Sequence, residues 1–61
     1  MTSDTARHQL GHLHAAIRRA KTKHEKAAHR HYALAFVEDA KVRAALGEEE
    51  SARQWNALLE D

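Results

Sequence analysis

No proline occurs in the 61 residues, and glycine occurs only at Gly11 and Gly47. These two residue types interrupt helices most readily. A chain that almost lacks them, and that is dominated by alanine, leucine, lysine, arginine and glutamate, has little choice but to be helical. No segment carries the alternation of a strand. Thr2, Ser3, Asp4 and Thr5 offer side-chain oxygens for the first helical cap. From there the pattern predicts one long helix over about 4–46. Gly47 stands where a positive-φ stop belongs, and Glu48, Glu49 and Glu50 suit the first turn of a second helix over about 49–60. The expectation is an all-α helical hairpin, a single domain over 1–61. A competing signal lies at Thr22-Lys23-His24-Glu25, a capping box able to start a new helix and to give a compact three-helix monomer instead.

On one continuous helix wheel, Leu10, Leu13, Ile17, His24 and His31 fall on a single stripe with alanines between them, in the 4-3 rhythm of a coiled coil. Phe36 and Val37 fall on roughly the opposite side. A short second helix carrying Trp55, Leu58 and Leu59 covers one side only. The reading is therefore that Trp55, Phe36 and Val37 anchor the hairpin while Leu10, Leu13 and Ile17 meet another chain. The expected assembly is a homodimer or larger helical bundle, or a complex with another protein. The length points the same way, since a chain this small buries a modest share of its surface. With no cysteine, no disulfide or thiolate metal site can add stability.

Charge divides the chain. Residues 1–31 hold seven basic residues against Asp4 and Glu25, and residues 32–61 hold three against seven acidic ones. Arg19, Lys23, Lys26 and Arg30 share one arc of the long helix, a row suited to phosphate backbones. Nucleic-acid binding is thus the alternative function. No aromatic residue is interleaved with that row, which argues against base stacking.

All six histidines lie in the first 31 residues. His24 and His31, on the stripe, suit either a plain polar seam or one that loosens in acid, since imidazole titrates at about 6.5. A metal shared between two chains is a further use for them. His8 and His12, four apart, can offer two nitrogens to one ion, with Asp4 a turn earlier, although a two-ligand site is weak. With no thiol and both serines next to expected helix starts, no catalytic constellation emerges. The expected protein is a non-catalytic interaction or structural protein, without an organic cofactor. No apolar run approaches a membrane span, no secretory signal pattern is present, and a cytoplasmic setting is the default expectation.

Overall fold

The computed structural model describes residues 1–60. They form four α-helices: α1 (Ser3–Arg19), α2 (Lys23–Glu38), α3 (Ala40–Leu46) and α4 (Glu48–Glu60). Among the described residues there is no strand, and the all-helical class follows directly. The single long helix over 4–46 does not form. It is replaced by three helices, for two local reasons.

The first break is the capping box. Thr22 is extended, and its hydroxyl accepts the Glu25 backbone N–H at 3.1 Å, which starts α2. Just before it, Ala20 leaves helical geometry with ψ 135, its N–H still held by the carbonyls of Ala16 and Ile17. The second break is at Asp39, whose ψ of 134 ends α2. Its carboxylate then accepts the N–H groups of Lys41 and Val42 at 2.9 and 3.4 Å, capping α3. An Asp side chain satisfying two otherwise orphaned donors is enough to stabilise a turn of this kind.

At Gly47 the chain turns again. Its φ of 87 is the positive value expected of a glycine stop, but its ψ of 160 is extended and not left-handed helical. The Gly47 N–H closes α3 on Arg43 at 2.8 Å, and its carbonyl receives the Ser51 N–H at 2.9 Å, opening α4. One residue thus finishes one helix and begins the next.

These joints fold the apolar pattern onto itself. α1 contributes Ala6, Leu10 and Ile17, α2 Ala33 and Val37, α3 Val42 and Leu46, and α4 Leu58 to one core. Leu13, Leu34, Phe36, Ala45 and Trp55 pack against it while half-exposed. The short α1–α2 connection makes those helices antiparallel neighbours. α4 ties back to α1 through a polar chain. Gln54 donates to Glu50 at 2.9 Å, so its carbonyl is left to face His14 Nε2 at 3.1 Å, and Arg53 donates to the same Glu50. Because Glu50 can only accept, the orientation of the Gln54 amide is fixed, and His14 must carry its proton on Nε2.

Candidate functional site

The core settles the location of several residues expected at an intermolecular seam. Leu10 and Ile17 are instead each 1% exposed inside the chain's own core, and Leu13 is half-buried against it. The physical reason is the break at Ala20–Thr22. It resets the helical phase, so the faces carrying Leu10 and Ile17 on α1 and Ala33 and Val37 on α2 turn toward each other. Val37 and Leu58 are buried, Phe36 and Trp55 are half-buried, and Leu59 is exposed. The excess apolar surface that one straight helix would show around Phe36 is thus taken up largely inside the chain.

What stays outside on α2 is a different surface. His24, Ala28, His31 and Ala35 are all exposed, and Tyr32 beside them is 65% exposed. On the helix wheel these five residues span about a 100° arc, and none of them carries a fixed charge. Alanine is common on exposed helices, but such faces normally carry lysine and glutamate between the alanines.

The basic row is divided. Arg19 ends α1, while Lys26 and Arg30 are half-buried on the inward side of α2, in register with Ala33 and Val37. A single straight stripe from Arg19 to Arg30 therefore does not exist, because the chain reverses between them. The reversal gathers another group in its place. Arg18, Arg19, Lys21 and Lys23 are all exposed within six residues around the α1–α2 turn, with no acidic residue among them.

His8 and His12 are exposed on α1, with their Nε2 atoms 3.1 Å apart and the rings edge to face at 86°. Among the described residues no three histidine, aspartate or glutamate side chains converge as a metal site, so Asp4 does not complete a triad with them. A hollow of about 230 Å³ opens between the end of α2, α3 and the start of α4, edged by Glu38, Arg43, Glu48 and Trp55. Ser51 lies at its floor, 5% exposed, and its hydroxyl has no hydrogen-bond partner. Sequence reasoning read Ser51 as a residue near a helix start and missed its burial. The signal was its spacing from Trp55 and Leu58 along α4, which places all three on one face.

No described helix is long and apolar enough to cross a membrane. Searches against protein-family models, curated proteins and solved structures find no match for this chain.

Proposed function

We propose that the chain is a non-catalytic helical interaction protein that pairs with a second copy of itself through the outer face of α2. The observation that carries this reading is the uncharged, exposed arc of His24, Ala28, His31, Ala35 and Tyr32. Small side chains let two helices approach closely, and the 4-3-4 spacing of the first four keeps them in line along a packed partner.

Charge and size together select an antiparallel pair. About a two-fold axis passing beside the midpoint of His29 and Arg30, His24 of one copy faces Ala35 of the other, and Ala28 faces His31. Each histidine thus meets an alanine, and Tyr32 lies at the edge of the seam. Lys21, just ahead of α2, comes opposite Glu38. A parallel pair would instead stack histidine on histidine and basic end on basic end. An antiparallel arrangement also opposes the helix dipoles favourably. Such an interface is isologous and closes at two copies.

Sedimentation equilibrium at ten and at several hundred micromolar tests the pairing. The native chain is expected to approach twice the monomer mass at the higher concentration, whereas A28E/A35E, with unchanged helical circular dichroism, stays monomeric. A native chain that is monomeric at both concentrations overturns the reading. Orientation is read from cross-linking, which the absence of native cysteine makes clean. A mixture of H24C and A35C should form a disulfide readily, and A35C alone should not.

A second reading is favoured by the exposed cations at the α1–α2 turn. Four exposed basic residues that engage phosphates would give a salt slope of about −3.6 on duplex DNA, so affinity should fall by about a hundredfold between 50 and 200 mM salt. R19A/K21A should flatten that slope. Absence of binding to a generic duplex at 50 mM salt removes this reading and leaves the pairing intact.

A further inference from the structure

We propose that His8 and His12 form a bidentate site for a first-row divalent transition metal on the exposed side of α1. Two imidazole nitrogens do not come to 3.1 Å with lone pairs facing each other. Something electropositive must lie between them, and only a proton or a metal ion fits. With a proton, one ring donates from Nε2 and the other accepts. With a metal, both rings keep their protons on Nδ1 and present both Nε2 lone pairs outward.

The spacing is that of an ordinary hydrogen bond, and it also accommodates the second case. Metal–nitrogen bonds to histidine are about 2.0–2.1 Å. An ion at about 2.1 Å from both Nε2 atoms would see them at an angle of about 95°. That is nearer the right angle of tetragonal or octahedral coordination than the wider tetrahedral angle. Imidazole donors suit Ni²⁺, Cu²⁺ and Zn²⁺ and disfavour a hard ion such as Mg²⁺.

The helix supplies the preorganisation. Residues four apart lie one above the other on the same face. α1 is held at this level by the packing of Ala6 and Leu10 into the core, while His8 and His12 point away from it. The two rings use cis positions on the ion and leave the others to water or to a donor from another molecule. This site is separate from the α2 face and from the cations of the α1–α2 turn, and it does not depend on either.

Calorimetric titration of the full chain with NiCl₂ in a non-coordinating buffer at pH 7.5 tests the assignment. One Ni²⁺ per chain is expected, with affinity lowered at least tenfold in H8Q and in H12Q. H29Q removes an exposed histidine elsewhere and should bind as the native chain does. Because the chelate spans a turn that exists only in the folded state, Ni²⁺ should also raise the thermal midpoint of the native chain and not that of H8Q. MgCl₂ should do neither. Nickel uptake unchanged in H8Q, or no uptake by the native chain at millimolar Ni²⁺, overturns the site and leaves the contact as a proton-bridged pair only.

Discussion

Replacing Leu58 with alanine is expected to remove most of the stability of this chain. Leu58 is fully buried, and it is the one large α4 side chain wholly inside the core shared by all four helices. Truncating a buried leucine costs about 2–5 kcal/mol, the lost transfer energy plus the cavity left behind. A domain of this length has about 3–9 kcal/mol in total, at the usual value per residue. The thermal midpoint should therefore fall by about 8 °C at least, since each kcal/mol moves a small domain by about 4–8 °C. Its neighbour supplies the control. Leu59 is 55% exposed, and Leu59→Ala should change stability by less than about 0.5 kcal/mol. Alanine favours helix at both positions, so any difference between them measures packing and not helix propensity. Thermal melts followed at 222 nm give the comparison directly, and equal midpoints for the two variants would refute the placement of α4.

The second large effect is at Gly47. Its φ of 87 with ψ 160 lies in a region that side chains with a Cβ rarely occupy. A Cβ added there would meet nothing within 4 Å, so the cost of Gly47→Ala is purely conformational, about 1–3 kcal/mol. Gly11 is the opposite case. It lies mid-helix in α1, exposed, with equally open space around an added Cβ. Gly11→Ala should stabilise the chain by about 1 kcal/mol, because alanine loses less backbone freedom on entering a helix. Two chemically identical substitutions with opposite signs, measured by urea denaturation, separate backbone strain from helix propensity. A neutral or stabilising Gly47→Ala would contradict the turn described between α3 and α4.

The helical class and the Gly47 turn are legible in the sequence because their signals are local. The number of helices is less so. Thr22 and Glu25 spell a capping box, yet they sit among good helix formers and have no glycine or proline beside them. Asp39 is harder still, because the apolar spacing continues on both sides of it. The clue was present in another form. On one straight wheel, Ala33 and Val37 fall opposite Val42 and Leu46, an arrangement no single partner helix can cover. That conflict reads naturally as a need for a second chain. It equally marks a helix that bends, and the bend at Asp39 lets both faces enter one core. Among the candidate surfaces, the outward position of His24 and His31 depended on where α2 begins, which no periodicity count could fix. The His8–His12 contact needed only the spacing of four, and it is the feature of the site least altered by the folding of the rest.

The joints between the helices also set how the chain reaches its native state. Each consists of one to three residues, so neighbouring helices find one another by closing very short loops at small entropic cost. Docking of α3 onto α1 and of α4 onto α2 is the main search over long sequence separation, and the His14–Gln54 contact, forty positions apart, completes it. Chains with so local a wiring diagram refold on the microsecond-to-millisecond scale. The slowest productive event should be arrival of the last helix, in a chain with no prolyl bond to delay it.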